Sequence, residues 1–174
     1  YCPNATPITW ESLFPCRLET DWFDALAGKR VLVVHPYGKT IAAQCEKARR
    51  VELHRGHGPF PDFELLTYKP VNSIGGTCAD FACWKDALQH MLDDVSKLDF
   101  DIALVGCGVY GVPLSVHIKR MGRQAIHTGG STQLIFGIKA RIYDTWGFYN
   151  EHWTAAFPED VPSNMGLIEN GRFL

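Results

Sequence analysis

The residues from Asp101 to Ile138 constrain the fold of this chain most, because they alternate between strand, glycine turn and helix. Asp101 to Val105 is a short apolar run that suits a strand buried on both faces. The run GCGVYG at Gly106 to Gly111 follows, and such glycines allow a tight turn and let backbone N–H groups approach a phosphate. Pro113 suits the first turn of the next helix. This order predicts a βαβ unit of a parallel sheet.

Similar alternation extends through the middle of the chain. Apolar runs predict further strands at Arg30 to His35, Phe63 to Tyr68 and Gln124 to His127. Helices are predicted after the first strand, from about Ala79 to Lys97, after Pro113, and from Thr132 to Gly137. The second of these helices has an apolar stripe that includes Trp84 and is predicted to face the core, and His54 is predicted to lie in a solvated loop from Glu52 to Pro61. Strands and helices in this order predict an α/β fold, a Rossmann-like three-layer sandwich with a mostly parallel sheet.

The length of 174 residues fits one domain with a substantial core. Residues 1–29 contain several prolines among aromatic residues, which predicts an irregular lead-in with a short helix near Asp21 to Leu26. Residues 30–137 form the predicted Rossmann-like domain. Residues 138–174 are predicted to be an ordered C-terminal tail packed on that same domain.

Composition excludes two classes of partner. A net charge of −2 gives no bulk attraction for nucleic acid, and no apolar run approaches the roughly 20 residues of a membrane span. Cys2 and Cys16 could pair in an oxidising compartment, and Asn4 begins a glycosylation sequon, which would suit an extracellular or lumenal protein. The alternative, which we favour, is free thiols in a cytoplasmic protein. The oligomeric state is left open.

The candidate site lies where the predicted strands end. Right-handed crossovers bring the carboxyl ends of parallel strands to one edge of the sheet, where ligands of open α/β folds bind. Turns after four strands therefore converge, and two helix N-termini offer backbone amides to an anion. Lys39 could add a positive charge there. The residues predicted to contact the ligand are Gly38, Lys69, Gly106, Gly108, Tyr110, Gly111, Gly129, Gly130, Thr132 and Gln133.

The glycine pattern is typical of dinucleotide sites, but the residues after it argue against a dinucleotide as the ligand of this edge. A dinucleotide site normally has a carboxylate about 20 residues further on, at the end of the next strand, but that strand ends in His127 and Thr128. The diphosphate of a nucleotide sugar does not need that carboxylate, because backbone amides stabilise its charge. The glycines could equally serve only the close packing of helix on sheet.

A resemblance to a known family supports the diphosphate. The chain contains GKRVLVVHPYGKTI, then GCGVYGVPLSVHIKRMGRQAIHTGGSTQLIFGIKAR, and later FYNEHW and ENGRF. From about Trp22 to the C-terminus it resembles a GT-D-type glycosyltransferase-like family of polysaccharide-biosynthesis loci. The resemblance implies a Rossmann-like domain that transfers a sugar from a nucleotide-diphosphate sugar to a glycan acceptor.

One feature of that family has no obvious counterpart here. The resemblance implies an acidic Asp-x-Glu motif that holds a divalent cation, Mn²⁺ or Mg²⁺. Asp62-Phe63-Glu64 matches it literally and Asp99-Phe100-Asp101 matches it approximately, but both lie where a predicted strand begins. We therefore assign no metal ligand within the chain, and expect a cation only if an acidic motif lies outside it.

Histidines at strand ends are the candidate catalytic residues. Transfer with inversion needs a general base for the acceptor hydroxyl, and histidine suits neutral pH. His35 and His127 follow two of the predicted strands, and either could instead be structural. Tyr37 or Tyr110 could stack on a ring or pack in the core. Glu151, His152 and Trp153 could approach from the tail. The alternative to an enzyme is a non-catalytic nucleotide-binding or structural α/β module.

Overall fold

The computed structural model describes residues 3–14, 22–73 and 80–174, and it confirms the Rossmann-like α/β fold. The strands are β1 (Arg30–Val34), β2 (Glu64–Tyr68), β3 (Ile102–Val105) and β4 (Gln124–His127). The helices are α1 (Gly38–Ala48), α2 (Trp84–Lys97), α3 (Gly111–Arg120) and α4 (Ser131–Ile135). Short 3-10 segments lie at Trp10–Leu13, Trp22–Leu26, Gly108–Tyr110, Arg141–Tyr143 and Met165–Gly171.

All pairings in the four-stranded sheet are parallel, in the order β2-β1-β3-β4. The two central strands, β1 and β3, are the most apolar and the most buried, whereas the edge strands β2 and β4 are partly exposed. A strand covered by helices on both faces must be apolar along its whole length, which explains these runs. The strand order changes direction between β1 and β3, so a crevice is expected at their carboxyl ends.

Side chains from alternate positions of the central strands supply two cores. Leu32 and Val34 of β1 face α2 and α3, where they meet Leu114 and Ile118. Val31 and Val33 face the opposite core, which is formed by α1, α4 and the C-terminal tail. This alternation gives the three layers. Among the described residues, no helix is both long enough and apolar enough to cross a bilayer.

Two predictions about local structure were wrong. Helix α2 begins at Trp84 instead of near Ala79, and Trp84 is exposed although its spacing placed it on the buried stripe. Its ring centroid lies 6.5 Å from that of Tyr110, but about half of the indole stays exposed. His54, predicted to lie in a solvated loop, is buried with its Nε2 atom 2.9 Å from the carbonyl oxygen of Ile135.

The structure tests the predicted state of the cysteines only in part. Cys2 and Cys16 lie outside the described residues, so their pairing stays a prediction. Cys45, Cys83 and Cys107 are free thiols. Burial raises the pKa of Cys45 to about 11 and that of Cys107 to about 12, so both thiols stay protonated at neutral pH.

Candidate active site

The crevice between β1 and β3 is closely packed by the protein itself. Gly106 follows β3, and a methyl group placed there would lie 2.2 Å from Thr132 Oγ1 and 2.7 Å from the carbonyl oxygen of Gly129. The same methyl group would lie 3.0 Å from Cδ2 of His35, which follows β1. Gly106 is therefore needed for close packing between the turns at the ends of three strands.

We expect Gly106→Ala to lower the free energy of unfolding by about 2 kcal/mol, because the backbone carbonyl of Gly129 cannot move away without disturbing its turn. Chemical denaturation monitored by circular dichroism measures this loss. Gly166→Ala is the matched control, since Gly166 has no atom within 4 Å of the added methyl group and no left-handed backbone. Equal stability of both variants would contradict the close-packing role.

His35 is buried and holds the turn after β1. The backbone N–H of Tyr37 donates to its Nδ1 atom over 3.1 Å, so the ring proton of the neutral imidazole lies on Nε2. Burial lowers the pKa of His35 to about 3, and the nearby charge of Asp160 offsets this effect only in part. His35 is thus a neutral side chain whose basic nitrogen is already engaged.

The N-terminus of α1 is occupied by the tail. The backbone N–H of Thr40 donates to Asp160 Oδ2 over 2.6 Å, and the hydroxyl of Thr40 donates to the same oxygen over 2.7 Å. The backbone N–H of Lys39 donates more weakly to Asp160 Oδ1, over 3.4 Å. The predicted ligand residue Gly38 begins this helix. A carboxylate of the protein therefore takes the place that an anion would need at α1.

The predicted ligand residues around α4 also have partners within the protein. Thr132 is buried and its hydroxyl donates to the carbonyl oxygen of Gly129 over 2.8 Å. Gln133 is buried and its amide donates to the carbonyl oxygen of Phe173 over 2.9 Å. A methyl group at Gly130 would lie 2.6 Å from the ring of Phe173. The C-terminal residues therefore cover the part of this edge nearest α4.

The loop before α3 is the part of the edge that stays open. Gly108 has a φ of +58°, and no atom would lie within 4 Å of a methyl group placed on it. The next residue, Val109, is 78% exposed. The backbone N–H groups of Cys107 and Gly108 make no hydrogen bond with any described residue, and α3 has no side-chain cap. Among the described residues nothing occupies these two amides, whereas the N–H of Gly111, the first residue of α3, donates to the carbonyl oxygen of Gly108.

His127 lies beside this open loop. It is paired with Val105 in the register of β3 and β4, and a methyl group on Gly111 would lie 2.2 Å from its Nε2 atom. The side chain is exposed and makes no hydrogen bond with the described residues. Partial burial of the ring lowers the pKa of His127. The lower pKa favours the neutral imidazole that a general base requires.

Two other predicted residues lie further away or are already engaged. Lys69 is exposed at the end of β2, and β1 separates β2 from β3, so Lys69 is not beside the open loop. Tyr110 is buried, and its hydroxyl forms a short hydrogen bond with that of Ser73. The open site therefore consists of Cys107, Gly108 and the first turn of α3, with His127 next to it.

The acidic pairs lie at the opposite edge of the sheet, as expected. Arg30 forms ion pairs with both Asp99 and Asp101, and its hydrogen bonds lower the pKa of Asp101 to about 2. Asp62 lies 3.7 Å from Arg49. Open cavities of about 520 and 540 Å³ adjoin these groups, remote from the carboxyl ends of the strands.

The described residues do not fit the divalent cation that the resemblance implies. Their acidic pairs are neutralised by arginines at the wrong edge, and no three His, Cys, Asp or Glu side chains among them are grouped to hold a metal ion.

Sequence reasoning missed three residues near the site. Asp160 and Phe173 belong to the tail, and Trp84 was assigned to the core. Only an indirect feature of the sequence pointed to Asp160. Tyr37 is the N-cap residue of α1 and its side chain cannot cap the helix, so another part of the chain had to supply an acceptor for the first amides of α1. Nothing local indicates which acidic residue supplies it.

Comparison with known proteins gave one match. The model of a family described as a GT-D fold-like domain matches residues 18–135, which is more than half of the chain. No curated protein and no solved structure matches the chain. The matched span includes the whole sheet, the open loop and His127, and it ends before the tail residues Asp160 and Phe173.

Proposed function

Because this chain belongs to the GT-D-like family, whose span includes its entire parallel sheet, we propose that it is a glycosyltransferase domain. In this proposal it transfers a sugar from a nucleotide-diphosphate sugar to a glycan acceptor. Membership of the family shows a glycosyltransferase-related fold. The arrangement of residues around the open loop supports the proposal that the domain transfers a sugar.

The single observation that carries the proposal is the uncapped N-terminus of α3 behind Gly108. The amides of Cys107 and Gly108 before it have no partner among the described residues, whereas the corresponding amides of α1 donate to Asp160. A diphosphate bound there would receive backbone hydrogen bonds and the favourable end of the helix dipole. Both interactions strengthen as negative charge develops on the leaving diphosphate.

His127 is the proposed general base, and His35 is assigned a positioning role for the turn after β1. The acceptor hydroxyl oxygen attacks the anomeric carbon of the donor sugar while the bond from that carbon to the diphosphate oxygen breaks. The bonding electron pair leaves with the nucleoside diphosphate, and the hydroxyl proton passes to the imidazole of His127. The protein groups that this scheme uses are the imidazole of His127 and the backbone amides of Cys107 and Gly108.

A second candidate function is a non-catalytic nucleotide-binding or structural α/β module. The contact of Asp160 with Thr40 favours it, because a carboxylate of the protein occupies the N-terminus of α1, where the predicted ligand residue Gly38 lies. Calorimetric titration with nucleotide sugars, with and without Mn²⁺, separates the candidates. Saturable binding with slow donor hydrolysis supports the enzyme, binding without hydrolysis supports the module, and no binding leaves only a structural role.

We also propose a cytoplasmic location. Its support is that the three described cysteines, Cys45, Cys83 and Cys107, are free thiols, as a reducing compartment requires. Labelling of the intact protein with a thiol reagent under denaturing conditions tests this proposal. Recovery of a disulfide between Cys2 and Cys16 from the native source would overturn it.

Val109→Glu is expected to weaken the binding of nucleoside diphosphate roughly tenfold, because it places a negative charge beside the diphosphate in a solvent-screened position. The exposed site tolerates the substitution, and an acidic side chain near the N-terminus of α3 stabilises the helix. Calorimetry measures the change. Val109→Gln, similar in size and uncharged, is the control, and equal affinity of the two variants would remove the diphosphate from this loop.

A further inference from the structure

Trp84 is the first residue of α2 and is 53% exposed. Later positions on its stripe, Ala87, Met91 and Val95, are fully buried, which shows that the stripe leaves the core only at its first turn. Exposure of so much apolar surface costs about 25 cal/mol for each Å² that could have been buried. A large aromatic side chain left in this position at the ligand edge of the sheet is therefore available to another ring.

The neighbour of Trp84 is Tyr110, the last residue of the 3-10 turn before α3. Their ring centroids are 6.5 Å apart at an interplanar angle of 49°. Tyr110 is itself fixed, because it is buried against Ala87 and Met91 and is hydrogen-bonded to Ser73. The indole therefore lies beside a rigid support that also ends the open glycine loop, while much of its surface faces solvent.

We propose that Trp84 is the stacking surface for the base of the nucleotide, an inference that rests on the diphosphate site of the proposed function. The same short loop connects both parts: the ring centroid of Tyr110 lies 6.5 Å from that of the indole, and Cys107 and Gly108 offer their amides. A nucleoside diphosphate combines a flat aromatic base with an anionic group, which matches these two neighbouring features. Stacking of a base on an aromatic side chain tolerates different bases, so Trp84 sets affinity more than base identity.

The test compares ligands with and without a base. The affinities of uridine and guanosine diphosphate and of inorganic pyrophosphate are measured by calorimetry for the wild type, Trp84→Ala and Trp84→Phe. Trp84→Ala is expected to bind both nucleotides about tenfold more weakly, because base stacking contributes roughly 1–3 kcal/mol. Its pyrophosphate affinity is expected to be unchanged. Trp84→Phe keeps an aromatic face and is expected to retain most of the nucleotide affinity.

Tryptophan fluorescence gives a second measurement, which would not change on nucleotide binding if Trp84 had only a structural role. Nucleotide binding is expected to quench the emission of the wild type, and the quench should disappear in Trp84→Phe while binding continues. Trp10→Phe is the matched control, since Trp10 is 56% exposed and belongs to a 3-10 segment of the lead-in. It should leave both the affinity and the quench intact.

The outcomes separate the two proposals. If wild type and Trp84→Ala bind nucleotides and pyrophosphate equally well, stacking on Trp84 is overturned and the diphosphate site stands. If the wild type binds neither nucleotides nor pyrophosphate, the diphosphate site fails and the inference fails with it. A loss of pyrophosphate affinity in Trp84→Ala that equals its loss of nucleotide affinity would assign Trp84 to the shape of the loop and also overturn stacking.

Discussion

Replacing Asp160 with alanine is expected to lower the free energy of unfolding by about 3 kcal/mol. The carboxylate caps α1 from a distant part of the chain, and loss of such a cap costs about 1 kcal/mol. Its removal also leaves the buried amide and hydroxyl of Thr40 without their acceptor, which adds roughly 1–3 kcal/mol. The tail from Phe157 onward should loosen as well, because Phe157 donates to the same hydroxyl over 2.9 Å.

Urea denaturation of the wild type and two variants measures this effect. Asp160→Asn keeps one acceptor oxygen without the charge, so we expect it to lose about half as much stability as the alanine variant. Glu159→Ala, one residue earlier and exposed, is the control for an acidic residue in the same turn. An unchanged unfolding midpoint for Asp160→Ala would show that the cap is incidental.

The fold was largely predictable because it depends on local patterns. Strands β1 and β3 are apolar throughout, since helices cover both of their faces, and their observed ends lie within one residue of the predictions. Helix periodicity was less reliable at the end of an element. The spacing that buries Met91 also includes Trp84, but burial requires a neighbour, and spacing alone does not say where the sheet ends.

The site was less predictable because the tail decides which amides remain open. Sequence reasoning predicted anion sites at two helix N-termini, those of α3 and α4, and added Gly38 at the start of α1 as a further ligand residue. In the structure Asp160 closes α1, and the carbonyl of Phe173 accepts from the amide of Gln133. Gln133 was a predicted ligand residue, and the residue that accepts from it is 40 positions away in sequence. Hydrogen bonds between residues so far apart in sequence produce no periodic pattern from which they could be predicted.

The glycines predicted to contact the ligand fall into two groups in the structure. The prediction left phosphate binding and close packing as alternatives for the whole set, and the structure shows that the set is mixed. Gly106, Gly111 and Gly130 each lie against a side chain or carbonyl that a methyl group would strike. Gly108 and Gly129 have left-handed backbone and open space instead. Only glycines of the second kind leave room for a ligand.

Stability is expected to fall by about 2 kcal/mol between pH 6.5 and 4.5 through His35 alone, at up to about 1.4 kcal/mol per pH unit. The pKa of His35 is about 3 in the folded protein, because burial disfavours the imidazolium, and about 6.5 in the unfolded chain. Between these values the unfolded state binds more protons than the folded state. The His35 contribution is therefore constant above pH 6.5 and becomes destabilising as the pH falls below that value.

His35→Asn separates this contribution from those of the other titrating groups. The amide oxygen of asparagine can accept from the backbone N–H of Tyr37 as Nδ1 does, but it does not take up a proton in this range. The variant is expected to be less stable than the wild type at pH 7.5, because asparagine fills less space, and to lose less stability on acidification. Denaturation at intervals of half a pH unit gives both slopes. Parallel slopes for the two proteins would mean that the ring is charged or solvated in the native state, and the neutral, buried His35 on which the turn after β1 depends would have to be abandoned.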